Sequence, residues 1–133
     1  MAFFRATIGN GGGGQMVETV LWTNNNPSPA TGFAAQAAPL SDDINNYDFI
    51  CVEYARVYSA LSDKAKVYWK VSDYKSFRNA SGICGAITLH NQHRNFYYDN
   101  DTQAHFAHNY VVNGTQTVNQ FNIPLCIYGC KVS

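Results

Sequence analysis

Charge is scarce in this chain. Only 14% of its 133 residues are Asp, Glu, Lys or Arg, and nine basic residues balance nine acidic ones. No segment concentrates Lys and Arg, which argues against holding nucleic acid by neutralising its phosphates. No apolar run reaches the roughly 18 residues that cross a bilayer, so no membrane insertion is expected. The opening Met1-Ala-Phe-Phe-Arg5 has no basic n-region, long apolar h-region or small-residue cleavage site. The expectation is a protein made and folded in a cytoplasm, where the triplets at Asn79, Asn100 and Asn113 carry little weight as glycan acceptors.

Metal-ligand spacing is missing too. The four cysteines, at 51, 84, 126 and 130, match no zinc pattern. On one strand Cys126 and Cys130 share a face but lie about 13 Å apart, beyond disulfide reach. Each cysteine sits in an apolar run, where a reduced thiol packs as a small hydrophobe. The pairs His90-x2-His93 and His105-x2-His108 put their members on opposite faces of a strand, so neither chelates by itself. Across a hairpin His93 could approach His105 or His108, but core or surface imidazoles are the expectation. Asp99-Asn100-Asp101, with Asp73, offers oxygens to calcium, yet Asx side chains in such a loop more often bond their own backbone. No metal and no cofactor are expected. Catalytic marks are equally sparse, with no Gly-x-Ser-x-Gly and no pattern flanking any Cys or His.

What the chain does have is apolar material. Hydrophobic residues make up 46% and aromatics 14%, enough to bury one real core. Helix signals are weak; even Tyr54 to Lys66 lacks a steady 3.6-residue period. Strand signals recur at Met16–Trp22, Phe33–Leu40, Phe49–Tyr58, Val67–Val71, Ile83–Leu89, Arg94–Tyr98, Ala104–Val112 and Asn122–Val132. Phe49–Tyr58 is apolar on both faces, as a central covered strand should be. Asp99-Asn-Asp-Thr102 reads as a hairpin turn, and Ser41 to Asn46 as a polar turn with one short helical turn in it. Seven or eight antiparallel strands, spaced by about 8–15 residues, predict an all-β fold, a β-sandwich of jelly-roll type.

Four glycines, Gly11, Gly12, Gly13 and Gly14, precede the first strand. A glycine run has no side chains to bury and much backbone freedom to lose, so it reads as a hinge or tether. It divides the chain into an N-terminal peg and linker, residues 1–14, and a sandwich module, residues 15–133. Phe3, Phe4 and Ile8 are the apolar contacts by which the peg would anchor to something larger.

The aromatics of the second half suggest a binding surface. Trp69, Tyr74, Phe77, Phe96, Tyr97, Tyr98, Phe106 and Tyr110 are interleaved with Asn, Asp, His and Arg. Flat rings beside amides and carboxylates suit a sugar, by stacking on C–H faces and hydrogen bonding to hydroxyls. Trp69, Tyr97, Tyr98 and Asp99 are the candidate glycan-binding residues. Alternation exposes either Tyr97 or the Phe96/Tyr98 pair, and the other parity fills the core.

Several segments together resemble small β-rich structural modules of tailed bacteriophages, found in tail-fibre, baseplate and accessory particle proteins. They are Arg5-Ala-Thr-Ile-Gly-Asn-Gly-Gly-Gly-Gly14, Val20-Leu-Trp-Thr-Asn-Asn-Asn-Pro-Ser-Pro29, Phe33-Ala-Ala-Gln36, Tyr47-Asp-Phe-Ile-Cys-Val-Glu-Tyr54 and Ile123-Pro-Leu-Cys-Ile-Tyr-Gly-Cys-Lys131. Residues 72–119 contribute little to the likeness, and none of the motifs is catalytic. The resemblance implies a β-sandwich carried on a virion, often as a homo-trimer, with phage structural proteins as partners and in some cases a host-surface glycan as ligand. A non-enzymatic virion component is therefore the leading expectation. A lectin-like module acting without a particle and a small hydrolase are the alternatives.

Overall fold

The computed structural model describes residues 7–8, 14–27, 29, 31–73, 85–89, 91–111, 114 and 116–133, with backbone alone at 7, 8, 14 and 85–89. Within these residues the chain forms nine strands: β1 (Thr7–Ile8), β2 (Gly14–Thr23), β3 (Gln36–Pro39), β4 (Phe49–Val57), β5 (Lys64–Lys70), β6 (Gly85–Leu89), β7 (Gln92–Asn100), β8 (Gln103–Val111) and β9 (Phe121–Val132). A 3-10 turn at Ile44–Asn46 is capped by the Asp43 carboxylate, which accepts from the Asn45 N–H. The strands build two antiparallel sheets, ordered β1-β2-β9-β4-β5 and β3-β8-β7-β6. The all-β sandwich expected from the sequence is what forms. All eight expected strands are present in whole or part, and β1 is the ninth.

The core lies between the sheets. Ile50, Val52 and Tyr54 of β4, Ile123 and Ile127 of β9, Phe96 and Tyr98 of β7, and Ala104 and Phe106 of β8 are all buried in it. Rings bridge the two layers: Trp69 stacks on Phe96 at 5.1 Å, and Trp22 meets Phe106 at 5.6 Å. Burying one such side chain contributes about 1.5–3 kcal/mol, so this aromatic layer is a main source of stability.

β4 is apolar on both faces because its outer face is also covered. Cys51 joins Met16, Cys126, Tyr128 and Cys130 in a second cluster, flanked by Phe49 and Tyr68. Glu18 is sealed there too, its side chain fully buried and its carboxylate held by Lys66 Nζ at 3.0 Å and the Tyr68 hydroxyl at 3.2 Å. The three thiols carry no disulfide.

Two irregularities shape one end of the sandwich. β2 bulges between Val20 and Trp22, so Leu21 becomes an extra residue opposite β9. That bulge turns Trp22 from the outer face, where simple alternation with Glu18 and Val20 would leave it, toward Phe33 and Phe106. β9 bulges opposite Glu53 and Tyr54, at Pro124 and Leu125. Proline lacks the N–H a central strand needs, and a bulge is where a sheet tolerates it. The displaced carbonyls do not go unused: Asn24 takes both, its Nδ2 donating to the Pro124 oxygen at 2.7 Å and its backbone N–H to Leu125 at 2.9 Å.

Candidate functional site

Alternation resolves the parity left open at residues 96–98. Phe96 and Tyr98 point into the core, and Tyr97 faces outward from the four-stranded sheet. Trp69 also packs against the core, stacked on Phe96. The four candidate glycan residues therefore do not form one patch: Tyr98 is buried, Trp69 is partly buried with its ring on Phe96, and Tyr97 and Asp99 share the outer face.

On that face Tyr97 and His105 are cross-strand neighbours, their rings stacked at 4.9 Å with 12° between planes. Asp99 Oδ2 accepts from Gln103 Nε2 at 2.7 Å and lies 3.1 Å from His105 Nδ1. Partial burial acts to raise the Asp99 pKa, but the hydrogen bonds from Gln103 and His105 and the charge of His105 outweigh it, and the net shift is downward. Burial, with the charge of Asp99, raises the Tyr97 hydroxyl. His93 and Tyr110 continue the row, their rings 6.1 Å apart. This is a half-exposed aromatic strip with an ionised carboxylate at one end.

A second feature lies at the end of the sandwich shaped by the bulges. Trp22, Thr23, Asn24, Asn25, Asn26 and Gln36, with Pro29, Thr31, Gly32, Phe33 and Ala34, line a cleft of about 440 Å³. The walls are tied down from several directions. Asn24 is fixed to β9 as described, and its Oδ1 accepts the Asn26 N–H at 2.9 Å in an Asx turn. Gly32 closes a turn onto Pro29 with φ +84°, a conformation that favours glycine, and a Cβ there would collide with the Asn119 carbonyl at 2.2 Å.

Behind the cleft sits Arg94, fully buried and lying against the Phe33 ring. Its guanidinium donates to five backbone carbonyls: Phe33, Ala107, Asn119, Phe121 and Asn122, at 2.7–3.5 Å. Burial pulls its pKa down to about 9, which leaves it protonated at neutral pH. A planar fork of five donors suits this task of drawing several loops to one point. Asn109 and Asn122, both buried, extend the network through a 3.0 Å bond between their side chains.

The remaining sequence candidates are accounted for individually. Burial pushes the Cys130 thiol up to about 12 and raises Cys51 and Cys126 as well, which withdraws them from nucleophilic work. His108 Nδ1 accepts from the Ala35 N–H and lies 2.9 Å from Asn119 Nδ2, a role in holding loops. Asn100 Oδ1 accepts from the Thr102 N–H and hydroxyl, closing the expected hairpin turn. Among the described residues no group of three or more His, Cys, Asp or Glu could hold a metal ion.

Of the anchoring candidates, Ile8 lies in β1, opposite Gly14 of β2, and Thr7 lies opposite Gln15. The peg is thus laid against the edge of the module at these two residues. Phe3, Phe4, Gly11, Gly12 and Gly13 lie outside the described residues, as do Tyr74, Phe77, Cys84 and His90. Just beyond the β1 pairing, β2 exposes Val17 and Val20 at 51% and 52%.

Trp22 and its cleft were not among the sequence candidates. Trp22 to Pro29 read as a strand end followed by turn residues, and nothing local marks the β2 bulge that re-aims the indole. No protein-family model, curated protein or solved structure matches this chain.

Proposed function

We propose that this chain is a non-enzymatic structural component of a bacteriophage particle, of the fibre, tail or decoration type. Its N-terminal segment joins it to phage structural proteins, and its β-sandwich is presented outward for contact with host-surface carbohydrate. The observation that carries this reading is the edge of the five-stranded sheet. Among the described residues β1 pairs with Gly14 and Gln15 there, and Val17 and Val20 stand exposed on the same strand. A strand edge with apolar side chains is a ready place for a further chain to add. Deeply buried thiols with raised pKa values favour a structural over a nucleophilic role.

The trimeric state and the virion location come from the sequence resemblance, which is an argument by analogy. The test is incorporation. A chain lacking residues 1–13 should fold, with an unchanged far-ultraviolet spectrum, yet be absent from purified particles. Normal incorporation of the truncated chain refutes the anchoring role.

A second reading, a lectin-like module acting without a particle, is favoured by the outer-face strip of Tyr97, His105 and Asp99. It requires glycan-array signal from the isolated chain that disappears on Tyr97→Ala.

A further inference from the structure

The cleft at the bulged end of the sandwich has the chemistry of a ligand site. It belongs to neither the N-terminal edge nor the Tyr97 strip. Its volume, about 440 Å³, lies within the roughly 300–1,000 Å³ of small-molecule sites. Among the described residues the lining is one indole, one buried phenyl ring, an alanine, a proline and a glycine, with Thr, Asn and Gln besides.

We propose that this cleft binds a neutral, hydroxyl-rich ligand, one or two sugar units of a surface glycan. The inference deepens the reading of this chain as a surface-binding module and rests on it.

Three physical arguments select that ligand class. None of the described lining residues is ionisable, and a charged ligand would be partly desolvated there without a countercharge. A purely apolar ligand would instead strip water from Asn25, Asn26 and Thr31, which line the cleft and are exposed, and give no hydrogen bond in return. A sugar hydroxyl both donates and accepts, as do Asn, Gln and Thr side chains, and its ring C–H face matches the Trp22 indole.

The site is also pre-organised. Trp22 is braced by Phe33 at 6.2 Å and Phe106 at 5.6 Å. The asparagine loop is pinned through Asn24 to Pro124 and Leu125, and the opposite wall through Phe33, whose N–H donates to the Asn119 carbonyl and whose carbonyl accepts from Arg94. Walls held in this way lose little freedom when a ligand enters. The bulge at Leu21 exists at a place where it re-aims one aromatic side chain, a common setting for bulges beside binding sites.

The full-length chain can be tested directly. It contains two tryptophans, so in a Trp69→Phe background fluorescence reports Trp22 alone. A glycan array of neutral and acidic oligosaccharides selects the probes, and fluorescence titration measures their affinity. The expected result is saturable binding of a neutral glycan, with acidic derivatives of the same core bound no more tightly. Asn25→Ala combined with Asn26→Ala should weaken it by about tenfold or more without moving the urea midpoint. Tyr97→Ala should leave it unchanged. Binding that survives the asparagine changes but is lost with Tyr97→Ala places the glycan on the outer strip; that overturns this inference while the surface-binding reading stands. An array on which no neutral glycan binds also overturns it, and incorporation into particles is scored separately on the same variants.

Discussion

Replacing Arg94 by methionine keeps much of the side-chain volume and removes all five donors. The carbonyls of Phe33, Ala107, Asn119, Phe121 and Asn122 then lose a charged partner at once. A buried group left without its partner costs about 1–3 kcal/mol. The five losses do not add, because the loops relax together and water reaches those nearest the surface. A total of about 4 kcal/mol is expected, a large part of the roughly 5–15 kcal/mol that stabilises a domain. With a urea slope of about 1–3 kcal/mol per molar, the midpoint should fall by more than about 1 M. Arg94→Lys should recover less than half, since a single ammonium cannot reach acceptors spread around a planar fork. The assay is urea unfolding followed by far-ultraviolet circular dichroism. A loss below about 1 kcal/mol for Arg94→Met would refute the reasoning, because it would mean that those carbonyls find equivalent partners without the guanidinium.

Gly32→Ala should destabilise by roughly 1–3 kcal/mol, read as a lower thermal midpoint, because a Cβ there meets the Asn119 carbonyl at 2.2 Å and φ is +84°. In a Cys84→Ser variant, Ellman's reagent should leave the folded protein unlabelled at pH 8 and titrate three thiols after denaturation, given the burial of Cys51, Cys126 and Cys130. Fast labelling of the folded variant would contradict the sealed outer cluster. Asp42 accepts from the Tyr47 hydroxyl, the Asp43 N–H and Asn46 Nδ2, and these bonds lower its pKa from 3.8. A depressed carboxylate stabilises the folded state above its unfolded pKa, and that stabilisation is lost as pH falls through the folded value. Asp42→Asn should therefore be less stable than the parent at pH 6, and the gap should close below about pH 4; a gap that persists at pH 2 would count against it.

Strand positions were readable because burial in a sandwich leaves a period-2 record in the sequence, and β4 showed both of its covered faces in its composition. The aromatic parity at residues 96–98 was not, since Phe96-Tyr97-Tyr98 is apolar at every position and only the partner sheet decides which ring is buried. The direction of Trp69 was hidden for a related reason: next to Tyr68 in a strand, either ring can face in, and here stacking on Phe96 took the indole. Trp22 was hidden by the bulge, which shifts parity by one residue and whose determinants lie across the sheet. Arg94 gives no local signal at all. Its five acceptors come from three separate stretches of chain, at residue 33, residue 107 and residues 119–122, brought together only when the sandwich closes. The N-terminal glycine run marked a change in chain character, while the pairing of Thr7 and Ile8 with β2 depends on a turn that composition does not reveal.

The most direct measurement is photo-crosslinking from the N-terminal segment within assembled particles. A benzophenone amino acid placed at position 4 should capture a different virion protein, identified by mass spectrometry. Capture only of the chain's own sandwich, or absence of the chain from the particles, would contradict its attachment through this end.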